Sequence, residues 1–335
     1  MFSNIHIINV LNKKIRYSVF FLFFFAAYAQ NSPLDFYQIN DSLYYFDEIE
    51  DGEISGVTWH FEANKFYFIN DEDGIIWETN STFNILRTIT GANFGDTEDI
   101  ISLPENKFGI LTEAGKLYVG FIENGVEDFE LNPNSFQEII FMNHQGNSGP
   151  EGIAFDEDNG LIYIAKEKNP MVIYHFSLAS IYGDTSIVPE VSFNAEMALS
   201  DEIDDISGLL FDQRTQRLLV LSEDSNKILD VDPSSGEIKS QFDLQEDHQY
   251  EGISFYDEFY NILVAGEPNF HVKISRPCQA SYINSNFSIQ CLIDNILELN
   301  DTCDLDLDFD HDYNIYDVLI ATDIQNGFNF YNCAH

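Results

Sequence analysis

Residues 148–170 read "SGPEGIAFDEDNGLIYIAKEKNP". Two apolar alternating runs flank a polar "DEDNG", the pattern of a β-hairpin turning near residue 159. Glu151 opens the first run and Glu167 closes the second. Residues equidistant from a hairpin's turn face one another, so folding the stretch there sets the two carboxylates side by side. Two carboxylates about 4 Å apart repel by about 4 kcal/mol at an effective dielectric of about 20. Such a pair asks for a shared proton, an intervening Lys or Arg, or a bound cation.

The hairpin recurs. Copies begin at Ile54 ("ISGVTWHFEANKFYFINDED"), Thr97 ("TEDIISLPENKFGILTEAG"), Pro150, Ile206 ("ISGLLFDQRTQRLLVLSED") and Tyr250 ("YEGISFYDEFYNILVAGEP"). Successive copies lie 43, 53, 56 and 44 residues apart, which suits four-stranded propeller blades with some longer loops. Crossover helices are not evident; "SLASIY" near residue 180 suffices for a single turn. One blade cannot bury both of its faces, so the copies must stack radially and close a ring. The expected fold is all-β, a five-bladed β-propeller. A sixth, degenerate blade is the alternative, because the gaps at residues 115–150 and 170–205 leave room for extra strands. The segment "FYQINDSLYYFDEI" from Phe36 is expected to close the ring against the last blade.

Applied to every copy, the hairpin rule pairs Ser55 with Glu72, Glu98 with Glu113, Glu151 with Glu167, Ser207 with Glu223, and Glu251 with Glu267. Ring closure would bring all ten to one end of the central channel. Lys166 and Lys168 flank Glu167, but strand alternation points them away from its face. Many oxygens with no converging His or Cys suit Ca2+ better than Zn2+, so the ten are candidate metal ligands at the channel mouth. Ten exceed the six to eight ligands of a calcium ion. The competing reading makes some of them staples that bond backbone N–H groups of the next blade. Glycine follows the first member in four copies (Gly56, Gly152, Gly208, Gly252), which would permit close approach at the axis; Asp99 stands there in the second.

The motifs "ISGL", "PEGIAF", "AKEKNP", "VLSEDS", "YEGI" and "GEPN", in that order over about residues 50–275, resemble the SdiA-regulated, or YjiK-like, family of exported bacterial proteins. The resemblance implies a five-bladed propeller distantly related to NHL-repeat propellers, with a calcium site in members of known structure. It implies no particular reaction.

Composition narrows the partners. The 57 Asp and Glu against 15 Lys and Arg give a net charge of −42, which repels nucleic acid and anionic lipid and attracts cations. Solubility or salty surroundings explain such a surplus equally well, so only clustered carboxylates argue for a site. Lys13, Lys14 and Arg16 precede the apolar run "YSVFFLFFFAAYA", which ends in an A-x-A pattern at Ala29. Residues 1–29 read as a cleaved secretory signal, with an uncleaved anchor as the alternative and no membrane-length segment after them. The expected location is exported: periplasmic, extracellular or at the cell surface.

The propeller is expected to span residues 30–277, and a Cys-rich tail residues 278–335. Within the tail, "DLDFDHDYNIYD" places oxygen donors at Asp306, Asp308, Asp310, Asn314 and Asp317, with the carbonyl of Asp312 at position 7, the ladder of a 12-residue EF-hand-type calcium loop. It resembles a single dockerin-type repeat, though His311 stands where glycine usually turns and no second ladder precedes it. "DVLIATDIQNG" then reads as a short helix stopped at Gly327. The four cysteines allow three pairings. Cys303 and Cys333 bracket the loop and helix, which favours joining them and leaves Cys278 with Cys291.

Two functions fit. One is a calcium-binding interaction platform that meets a protein partner through the propeller face or the tail. The other is a metal-dependent hydrolase of a lactone or phosphoester, with its site at the channel mouth. The sequence has no HExxH, GxSxG or phosphate-loop pattern, and His144 and His248 read as surface residues.

Overall fold

The computed structural model describes residues 34–275 apart from 35–36, 40–42, 50–51, 73, 92–93, 126, 183–184, 247 and 258–259. The signal segment, the calcium loop from Asp306 to Asp317 and the four cysteines lie outside the described residues.

Five sheets, antiparallel except for one short edge strand, make five blades. The chain enters through β1 (Gln38–Ile39) and β2 (Tyr44–Tyr45). The first blade is β3 (Ile54–His60), β4 (Lys65–Asn70), β5 (Ile76–Asn80) and β6 (Ile85–Thr90). The second is β7 (Thr97–Leu103), β8 (Lys107–Thr112), β9 (Lys116–Gly120) and, beyond the edge strand β10 (Phe129–Glu130), β11 (Phe136–Ile140). The third is β12 (Pro150–Asp156), β13 (Leu161–Lys166), β14 (Val172–Ser177) and β15 (Glu190–Phe193). The fourth is β16 (Gly208–Asp212), β17 (Arg217–Ser222), β18 (Lys227–Val231) and β19 (Ile238–Asp243). The fifth holds β20 (Gln249–Phe255), β21 (Ile262–Glu267) and β22 (Phe270–Ser275).

Strand position in the blade explains the sequence of each strand. The second strands, such as "LIYIAK" and "RLLVLS", are sandwiched between neighbouring blades and read as near-continuous apolar runs. Outer β19, "IKSQFD", alternates half-buried with exposed residues instead. The core is accordingly divided into five apolar clusters, one between each pair of adjacent blades. The cluster joining last to first packs Phe66, Phe68 and Trp77 against Leu263 and Ala265, so the ring is closed. As expected, the N-terminal segment completes the fifth blade: Gln38 pairs with Ser275 and Tyr44 with His271 on β22.

Among the described residues there is no sixth blade. The first long gap sends β10 back to run parallel with β6, covering the outer edge of the first blade. The second carries a 3-10 turn at Leu178–Tyr182, where "SLASIY" was expected to make one, and a parallel bridge from Ser186 to Ile140 of β11. It ends in a short helix, α1 (Ala195–Leu199), capped by Asn194.

Candidate metal centre

Each hairpin turns where the sequence places it, but the pairing differs from the expected one. Ile54 pairs with Asn70, Thr97 with Thr112, Pro150 with Lys166 and Tyr250 with Gly266, and the register then slips by one residue. Ser55, Glu98, Glu151 and Glu251 are the bulged residues, outside the ladder. A bulge re-aims its side chain. The charges therefore meet between blades as well as within one hairpin: Glu98 and Glu151, from the second and third blades, share a hydrogen bond, and Glu98 also lies near its own hairpin partner Glu113.

The ten expected residues divide by what they touch. The two serines are staples. Ser55 donates to the carbonyl of Thr97 at 2.7 Å and Ser207 to that of Tyr250 at 2.7 Å, each in the next blade. Glu72 is exposed, and Asp71 occupies its expected place, with its backbone carbonyl accepting from Thr97 N–H at 2.7 Å. Glu113 is buried, and its Oε1 accepts the N–H groups of Ser148 and Gly149, both at 2.9 Å. Its Oε2 is buried and has no partner.

Carboxylate oxygens of Glu98, Glu113 and Glu151 lie within 4.8 Å of one another. Three further groupings meet the same distance: Asp71 with Asp96 and Glu98, Glu53 with Asp71 and Glu267, and Asp205 with Glu223 and Asp224. Glu53, Asp71, Asp96, Asp205 and Asp224 are additions to the residues read from sequence. Burial, then neighbouring carboxylates, hold Asp71 at about 7, above the usual carboxylate range. Burial first, then neighbouring carboxylates (Glu98 for Glu151, Glu223 and Glu267 for Glu251), pushes Glu151 and Glu251 far up; burial also raises Glu98, although its hydrogen bond with Glu151 opposes the shift.

Asp99 does something different. Fully buried, it accepts from Ile100 N–H at 2.8 Å, from Ile153 N–H of the third blade at 3.0 Å, and from Val57 N–H of the first. It is a hub joining three blades. Its copies elsewhere are glycines because backbone fills the space: a Cβ on Gly208 would sit 2.8 Å from the carbonyl oxygen of Glu251.

Positive charge is unevenly placed. Lys168 was expected to point away from Glu167, yet its Nζ lies 2.5 Å from Glu167 Oε1 and 3.6 Å from Asp224 Oδ2. Strand β13 ends at Lys166, so alternation no longer governs Lys168. Lys166 donates to the carbonyls of Ser148, at 2.7 Å, and of Lys168. Among the described residues, no Lys or Arg forms an ion pair with Glu98, Glu113 or Glu151. His144, read from sequence as a surface residue, places a buried Nε2 3.6 Å from Glu113 Oε1.

The chain is thus a five-bladed propeller whose first strands carry clustered carboxylates near their starts. It belongs to the SdiA-regulated family, whose profile matches residues 34–275. Among solved structures it is similar to a luciferin-regenerating enzyme (13% identity, TM-score 0.46, covering 70% of this chain and 95% of that one). It is also similar to the calcium-binding protein regucalcin from Agrobacterium tumefaciens (12%, 0.45, 70% and 94%) and to a gluconolactonase from Xanthomonas campestris (10%, 0.43, 71% and 96%). Likeness this distant decides neither ligand nor activity. Among the described residues no helix is long and apolar enough to cross a membrane.

Proposed function

We propose that the protein is an exported binding platform whose channel mouth holds a divalent cation, Ca2+, on Glu98, Glu113 and Glu151. The observation that carries this reading is Glu113. Its Oε1 is fixed by two backbone N–H groups and its buried Oε2 has no partner, while the carboxylate as a whole stands beside two others that form no ion pair with any described Lys or Arg. An unpartnered buried carboxylate oxygen is strongly disfavoured, and a hard cation satisfies all three groups at once. The N–H groups are the kind of outer support that orients a metal ligand. The all-carboxylate trio suits calcium chemistry, and the rigid ring supplies a platform for a partner that meets the mouth.

The test is calcium-dependent melting in a chain carrying Asp308→Asn and Asp310→Asn, which silences the expected tail loop. Calcium should raise the melting temperature, EDTA should reverse the rise, and Glu98→Gln with Glu151→Gln should abolish it. A melting temperature indifferent to calcium, or a double variant that responds like its parent, overturns the reading.

A further inference from the structure

Resting on the reading of the mouth as a cation site, we propose that Lys168 is a tethered counter-ion that keeps a bound cation out of the arc of Asp205, Glu223 and Asp224. In this role it is a selectivity residue for how many ions the mouth takes, and where.

Two of the mouth's four acidic groupings form separate arcs with no residue in common. In one, Glu98, Glu113 and Glu151 gather carboxylate oxygens within 4.8 Å; in the other, Asp205, Glu223 and Asp224 do so at the same distance. Geometry alone does not distinguish them as cation cages. What differs is the ammonium. Lys168 Nζ sits 2.5 Å from Glu167 and 3.6 Å from Asp224, bridging the third and fourth blades. The first arc instead keeps Glu113 Oε2 unpartnered.

Lys168 is delivered by a braced strap. Lys166 Nζ donates to the carbonyl of Lys168, Glu167 N–H to that of Gly149 at 2.8 Å, and Ile206 N–H to that of Glu167 at 3.2 Å. Lys166, the other ammonium nearby, directs its protons to backbone carbonyls and so braces the strap without forming an ion pair with a carboxylate. Asp205 is tied as well: it accepts from Ser222 Oγ and from Asp224 N–H at 3.1 Å. A divalent ion entering this arc would meet a fixed positive charge among its own ligands, and like charge at that separation excludes it.

The experiment counts calcium ions per chain by equilibrium dialysis. Lys168→Gln should bind one more ion than the parent, and Lys168→Arg, which keeps the charge, should bind the parent's number. Adding Asp224→Asn to Lys168→Gln should remove the extra ion, locating it. Circular dichroism confirms that each variant is folded, and Lys168→Met serves in place of Lys168→Gln if that variant is not. An unchanged count in Lys168→Gln, or an extra ion in Lys168→Arg, overturns the role of Lys168 while leaving the trio standing. A parent whose calcium binding is insensitive to Glu98→Gln with Glu151→Gln instead overturns the reading of the mouth.

Discussion

The arc around the second blade and the arc around the fourth start from one repeat and relieve the same repulsion differently. Around the second blade, Asp96, Glu98 and Asp99 crowd four consecutive positions, and relief comes from backbone N–H groups and a hydrogen bond between carboxyls, while one buried carboxylate oxygen stays unpartnered. Around the fourth, Ser207 and Gly208 stand in the places of Glu98 and Asp99, and Lys168 supplies charge beside the acids that remain. A duplicated acidic position can therefore become staple, hub or cation ligand according to which neighbours it acquires.

Removing the hub would break the comparison most severely. Asp99→Ala leaves N–H groups of three blades without their acceptor and should cost about 4 kcal/mol, read from the urea midpoint. Next comes the cation. At a calcium concentration about 100 times its dissociation constant, stability should rise by about 2.7 kcal/mol, or about 5–10 °C in melting temperature.

Acidity should sharpen the contrast further. A carboxyl whose pKa is higher folded than unfolded keeps its proton longer in the folded state, so folding loses stability as pH rises through that interval. With Asp71 at about 7 and Glu98 and Glu151 also raised, the protein in EDTA should lose several degrees of melting temperature between pH 5 and 8. Calcium should abolish most of that slope, so its stabilising effect should grow toward pH 8. A flat profile in EDTA would show that burial does not hold these protons.

The paired serines offer an internal control. Ser55→Ala and Ser207→Ala each remove one bond to the next blade and should each destabilise by about 1 kcal/mol in the same denaturation assay. Unequal losses would mean that the arcs differ in stiffness as well as charge. The smallest effect belongs to Glu72→Gln, which should change stability by less than about 0.5 kcal/mol and leave calcium binding as it was, because Glu72 is exposed and in none of the acidic groupings.

The ring was legible because a buried blade imposes its pattern on every copy; the site was legible only in part. Hairpin counting placed Glu151 with Glu167 and Glu251 with Glu267 at a separation of 16 residues, and the same separation from Ser55 leads to Asp71. Choosing Glu72 by residue type overrode the better signal, the spacing. Asp96 and Asp205 stand two residues before Glu98 and Ser207, as Glu53 does before Ser55, so that position was readable too. The bulge at Glu98 and Glu151 was hidden, since no local residue marks a register slip that neighbouring blades impose. Lys168 escaped for a related reason: alternation predicts where a side chain points only while the strand lasts.

The pairing of Gln38 with Ser275 fixes the order in which the molecule can be completed. Strand β1 is made before β22 and waits for it, so until β22 emerges the fifth blade is incomplete and the ring stays open. Long sequence separation slows such closure and leaves apolar strands open to wrong partners meanwhile. A chain cut before β22 should be unable to close its ring, however well its first four blades are formed.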